Sequence, residues 1–101
     1  MKRCRLTTAA ERDLDAIFLY GLETFGLART ERYLVDLEEA LDHLCRFPES
    51  ARLRSDLVPP VRVYPQVSHV IVYEIEDESL IVLRIRSAHE NWAADPLGND
   101  P

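Results

Sequence analysis

Two nearly uninterrupted apolar segments, HVIVYEI (residues 69 to 75) and LIVLRIR (80 to 86), constrain this chain more than any other feature in it. Both are rich in β-branched and aromatic residues, and the polar EDES (76 to 79) lies between them, so they read as the two arms of a β-hairpin. A strand with one solvated face alternates apolar and polar residues. A strand that does not alternate is covered on both faces or central in its sheet. The chain must therefore supply cover for a sheet. VRVY (61 to 64) adds a third strand, and Pro65 suits its end because proline cannot donate to a ladder. Residues 48 to 60 (PESARLRSDLVPP) hold three prolines and read as a loop.

The cover lies upstream. Residues 3 to 7 (RCRLT) alternate as a short half-buried strand does, and Thr8 with Glu11 has capping-box spacing, which predicts a helix start. Ala10, Leu14, Ile17, Phe18, Gly21 and Phe25 recur at helical steps, while Glu11, Arg12, Asp13 and Asp15 take the other face. Gly26 suits a left-handed cap. From Leu27 a second stripe runs through Thr30, Leu34, Leu37, Leu41 and Leu44 until Pro48 stops it. So short a link makes an antiparallel helical hairpin, and two leucine heptads are too few for a coiled coil when helix 1 is a tethered partner. The predicted order is β-α-α-β-β-β, an α+β fold with the helical hairpin on one face of an antiparallel sheet and the first strand inserted back into it. At 101 residues the chain buries one core. Residues 1 to 92 form that domain, and residues 93 to 101, with Pro96, Gly98 and Pro101, are expected to be a flexible tail.

Charge narrows the function. The net charge is -6, whereas proteins that grip phosphate backbones concentrate Lys and Arg, so direct nucleic-acid binding is not expected. Residues 8 to 45 hold nine acidic side chains against Arg12, Arg29 and Arg32, while 46 to 69 hold Arg46, Arg52, Arg54 and Arg62 against Glu49 and Asp56. No apolar run is long enough to span a bilayer, and the start MKRCRLTTAAERD has no apolar signal region, which predicts a cytoplasmic protein without a membrane role. Cys4 and Cys45 form no CxxC and have no His or Cys at ligand spacing, so two reduced thiols and no metal or cofactor are expected.

In order and spacing, DLDAIFLYGLETFG, the helix-ending FPES, VRVYP and HVIVYEIEDESLIVLRIRSAHE resemble the ParE-type toxins of the RelE/ParE superfamily to about residue 90. The matching positions are Asp13, Leu14, Ile17, Tyr20, Pro48, Arg62, Tyr73 and Arg84. The resemblance implies the toxin of a type II toxin-antitoxin pair, wrapped by a ParD-like antitoxin and inhibiting DNA gyrase by binding. The superfamily also holds RelE-like ribonucleases that cut messenger RNA on the ribosome, which is the enzyme alternative. Such cleavage needs a base, an acid and cations for the phosphate charge. Many relatives place a His directly after the LRI-like segment; Ser87 stands there instead, with His89 beside Glu90.

Site residues follow from these two readings. Under the ribonuclease reading His89 is the general base; under the binding reading no residue is catalytic. Arg62, Arg84 and Arg86 are a candidate cationic patch, since residues two apart in a strand share a face; the alternative is ion pairing with the acidic helices. Target binding is assigned to Arg84, Arg86, Asn91, Trp92 and Asp95, because Arg and aromatic side chains supply most hot-spot energy. Trp92, the sole Trp, either packs back as a clasp or faces a partner. Arg52 and Arg54 fall in the loop. His43 reads as a surface helix residue, His69 as a strand opener, and the four tyrosines as core-edge residues with hydroxyls in water. No Ser/His/Asp order, HExxH or glycine-rich phosphate loop occurs.

Overall fold

The hairpin is the centre of the sheet. In the computed structural model, which describes residues 3 to 98, the strands are β1 (Arg3–Leu6), β2 (Leu53–Arg54), β3 (Val61–Gln66), β4 (His69–Glu76) and β5 (Ser79–Ser87), ordered β1-β5-β4-β3-β2. The helices α1 (Thr8–Phe25) and α2 (Leu27–Arg46) form the expected hairpin.

The sheet is mixed rather than antiparallel, because β1 pairs with β5 in parallel. The cause is β2, two residues inside the stretch read as loop. The helical hairpin returns the chain to the end of the sheet where β1 finishes. The short β2 adds one reversal before β3, so after β4 the chain climbs β5 in the same direction as β1. The same loop holds a 3-10 turn at Pro48–Ser50.

Local chemistry sets the helix ends. Thr7, not Thr8, caps α1: its Oγ1 accepts from the Ala10 amide at 3.0 Å and donates to the Leu83 carbonyl at 2.7 Å. One hydroxyl thus ties the helix start to β5, and Ala10 at the third helical position rules out a reciprocal capping box. Gly26 links the helices at φ 85°, ψ 171°, a positive-φ extended conformation open to glycine, not the left-handed cap expected. At Gly21 a Cβ would lie 2.7 Å from Thr30 Oγ1, so the helices approach there only because that side chain is missing.

Each face of the sheet has its own apolar layer. On the helical face Ala10, Leu37, Ala40 and Leu44 pack on Ile71, Tyr73, Leu80, Val82 and Ile85. On the other face Leu57, Val61, Val70 and Val72 are covered by Trp92, Ala88 and Leu97. A bulge divides β5: Tyr73 pairs with Val82 and Val72 with Arg84, leaving Leu83 as the extra residue. It lets both Val82 and Ile85 reach the helical core although they are an odd number of residues apart, and it turns Arg84 and Arg86 to the opposite face.

Three further expectations need correction. Residues 93 to 98 are not loose: Pro96 is fully buried and Leu97 packs on the second layer, since the bare sheet face offers apolar cover to a short returning segment. The remaining residues of that stretch lie outside the described part. Cys4 and Cys45 are joined as a disulfide with Cα atoms 5.9 Å apart, because the β1-α1-α2 path brings residues 41 apart in sequence side by side. Tyr73 is wholly buried instead of at the core edge; its hydroxyl donates to the Pro48 carbonyl at 2.7 Å and accepts from the Ala51 amide at 3.3 Å, and burial pushes its pKa up. No helix among the described residues is long and apolar enough to cross a membrane.

Candidate functional site

An open cleft of about 770 Å³ lies where the helical hairpin stands away from the sheet. Ile17, Tyr20, Gly21 and Phe25 of α1 and Arg29, Thr30 and Tyr33 of α2 form one wall. The other is made by Val67, Ser68 and His69 at the β3-β4 turn and by Ile85, Ser87 and His89 at the end of β5. Its rim is apolar and solvated: Tyr20 is 64% exposed, Phe25 49% and Val67 79%. Tyr20 meets Phe25 edge-on at 6.3 Å, and the Arg29 guanidinium sits 4.8 Å above the Phe25 ring. Val67 adopts φ 53°. A β-branched side chain in that region is strained, at about 1–3 kcal/mol, and strain at an exposed apolar residue beside a cleft points to use.

The polar floor is a Tyr-His pair. The Tyr33 hydroxyl lies 2.6 Å from His69 Nδ1 and 3.1 Å from the Gln66 carbonyl. A carbonyl only accepts, so for both contacts to be hydrogen bonds the hydroxyl donates to Gln66 and the His69 Nδ1–H donates to the hydroxyl. That tautomer leaves Nε2 with its lone pair, an acceptor for a donor entering the cleft. Burial, then the nearby His89, lowers the His69 pKa and so favours the neutral ring; burial likewise raises that of Tyr33. His89 is exposed, and its amide donates to Ser87 Oγ at 3.2 Å.

The expected cationic patch is instead an internal clamp. Arg84 grips Asp13 with two bonds, Nε to Oδ2 at 2.7 Å and Nη2 to Oδ1 at 2.9 Å, and its Nη1 donates to the Leu97 carbonyl at 2.6 Å. Asp13 Oδ2 also accepts from the Ile85 amide at 2.9 Å, closing the edge of β5 beyond β1. The Asp13 hydrogen bonds hold the Arg84 pKa above its ordinary value. Arg86 donates to Glu90 at 2.8 Å and to the carbonyls of Asp95 and Pro96 at 2.6 and 3.1 Å. Arg62 donates to the Ala51 carbonyl at 2.6 Å, holding the loop after α2. All three cations serve the fold: the bulge and the returning segment place Asp13 and carbonyls around Arg84 and Arg86, and the loop after α2 brings the Ala51 carbonyl to Arg62.

Of the other target-binding candidates, Asn91 is exposed, Trp92 is half-buried on the second layer and Asp95 is half-buried. Trp92 is thus a clasp. His43 lies 5.3 Å from the Phe47 ring and 5.8 Å from that of Tyr64, with Ser50 Oγ 3.2 Å from Nε2, a packing role. Arg54 pairs bidentately with Asp56, whose pKa falls to about 2, and Arg52 is exposed. Among the described residues no group of three His, Cys, Asp or Glu comes together as metal ligands. Sequence reading did not identify the residues that line the cleft. Its one signal was Val67, an apolar residue in a tight turn where Gly, Asn or Asp is usual.

The chain matches the family profile described as ParE toxin of type II toxin-antitoxin system, parDE, over residues 4–92. It is similar to Toxin ParE3 of Caulobacter vibrioides, with 31% identity over 94 residues, 93% of this chain and 94% of the relative. Toxin ParE1 of Mycobacterium tuberculosis is 27% identical over 93 residues, covering 92% of this chain and 94% of its own. A chromosomal ParDE toxin-antitoxin structure from P. aeruginosa superposes with a TM-score of 0.76 at 22% identity, covering 86% of this chain and 96% of that one.

Proposed function

The chain belongs to the ParE toxin family of type II toxin-antitoxin systems, and from that premise we propose that it inhibits DNA gyrase by binding, in the cytoplasm, and is neutralised by a ParD-like antitoxin docked in the cleft. The observation that supports the docking site is the juxtaposition of Tyr20, Phe25 and strained Val67 around the cleft. An isolated protein gains nothing from solvating these groups, whereas an amphipathic helix or extended segment of a partner would bury them. The His69 Nε2 acceptor would pair with a donor on that segment.

Target contacts fall on the outer surface of the segment after β5, where Asn91 is exposed and Trp92 is only half-buried. Arg84, Arg86 and the Asp95 carbonyl hold the segment in place. Supercoiling assays with purified toxin and gyrase test this reading, with and without the product of an adjoining small gene. Inhibition that the neighbour relieves, and that Asn91→Ala weakens by about ten-fold, is expected. Undiminished gyrase activity at saturating toxin would refute it.

One observation favours a second reading: His69 and His89 line the same cleft beside Arg29. A RelE-like ribonuclease would use such a pair as base and acid. Under the binding reading His89→Ala leaves toxicity intact. A loss of about 100-fold, together with ribosome-bound mRNA cleavage by the parent protein, would favour the nuclease.

A further inference from the structure

We propose that the Cys4–Cys45 disulfide is a redox-active site, opened by a dithiol, that fixes or frees the edge strand β1. The bridge ties the middle of β1 to the last turn of α2, across 41 residues of sequence. Apart from the bridge, the side chains of β1 hold it only lightly. Three of the four β1 residues are exposed, and Leu6 is its one side chain packed against the core. The remaining attachment is the backbone ladder to β5, flanked by bonds from the Arg3 amide to Glu78 and from the Thr7 amide to Val82.

The bridge is within reach of a reductant. Cys4 is exposed, and Arg3, Arg5 and Arg46 adjoin the two cysteines in sequence, where positive charge favours the thiolate forms on which exchange depends. One thiolate of the dithiol attacks Cys4 Sγ, and the electron pair of the S–S bond leaves on Cys45 Sγ, which takes up a proton. The second thiol then attacks the mixed disulfide. Cys4 departs and is protonated, and the reductant ends as its own disulfide. Two electrons and two protons pass to the protein.

Sheet geometry locates the consequence. Beyond β1, the edge amide of Ile85 is capped by Asp13 and that of Ser87 by Glu90, so these sites do not depend on β1. The stretch Ser79 to Val82 is covered by β1 alone along that edge. Cutting the bridge leaves a four-residue ladder to keep it closed, and short edge strands open at low free energy. The oxidised protein has a closed edge; the reduced protein has one that opens.

The full-length protein, purified without reductant and then treated with dithiothreitol, tests this by thiol alkylation with intact-mass measurement and by hydrogen exchange. No alkylated thiol before treatment and two after are expected. Exchange in residues 3 to 6 and 79 to 82 should quicken by about ten-fold or more on reduction, while the segments around Leu37 and Ile71 hold their rates. Cys4→Ser and Cys45→Ser should match the reduced protein with or without dithiothreitol. Two free thiols before treatment, equal exchange in both states, or a serine variant that keeps the oxidised protection would each overturn the proposal.

Discussion

Replacing Arg84 by Ala removes three hydrogen bonds at once: two to Asp13 and one to the Leu97 carbonyl. It leaves a carboxylate whose side chain is 15% exposed facing a gap where the cation stood. Losing one partner of a buried ion pair costs about 3–5 kcal/mol and losing a surface pair about 0–1. With the Arg84 side chain 21% exposed, the pair lies nearer the buried limit, at roughly 2–3 kcal/mol. The charge-assisted bond to Leu97 adds about 1 kcal/mol. A total of roughly 3–4 kcal/mol in a domain of this size lowers Tm by about 15 °C. Thermal and urea unfolding of Arg84→Ala, Asp13→Ala and the double variant measure it. The coupling between the two sites should be about 2 kcal/mol, because the double variant no longer strands a charge. A Tm loss under about 5 °C for Arg84→Ala, or additive single variants, would refute the clamp.

Val67→Gly relieves the positive φ and should stabilise the protein by up to about 1 kcal/mol in urea titrations, net of the chain entropy glycine adds. The same change should weaken antitoxin binding in calorimetry, since it removes an apolar contact at the cleft rim. Ending the chain after Asn91 uncovers Val70 and Val72 and deletes Trp92, Pro96 and Leu97, so it should cost about 3 kcal/mol or more and raise dye binding to exposed apolar surface; an unchanged Tm would show the returning segment to be idle. His69 binds a proton less readily folded than unfolded, so the unfolded chain takes up protons first as pH falls below about 6.5. Stability should therefore decline from pH 7 towards 5, and His69→Gln should flatten that part of the profile in denaturation midpoints measured across it.

What the sequence disclosed is what periodicity encodes. The continuous apolar runs at 69 to 75 and 80 to 86 identify the central strands, the stripes through Leu14 and Leu37 identify the helical hairpin, and Pro48 sets its end. The parallel placement of β1 was hidden because it turns on the reversal at Leu53 and Arg54, two residues without a strand pattern. The clamp was hidden for another reason. That Arg84 and Arg86 share a face could be read from their spacing; that Asp13, 71 residues from Arg84, and the Leu97 carbonyl await them there could not. Cys4 and Cys45 show the same limit, since their meeting depends on where two helices end in space. Val67 carried a local signal, its residue type being wrong for its turn.

The joining of the first strand to the last has a consequence for the moment of synthesis. β1 leaves the ribosome more than seventy residues ahead of its partner β5, and the second apolar layer stays bare until Trp92 and Leu97 emerge. Long-range pairings of this kind are slow and leave strand edges unsatisfied while they wait. Through most of its translation the nascent chain can carry the α1-α2 hairpin and its wall of the cleft, but neither the closed sheet nor the segment after β5. The surface proposed for the antitoxin is therefore begun before the surface proposed for the target, and a neutralising partner made nearby meets a chain that is not yet able to harm.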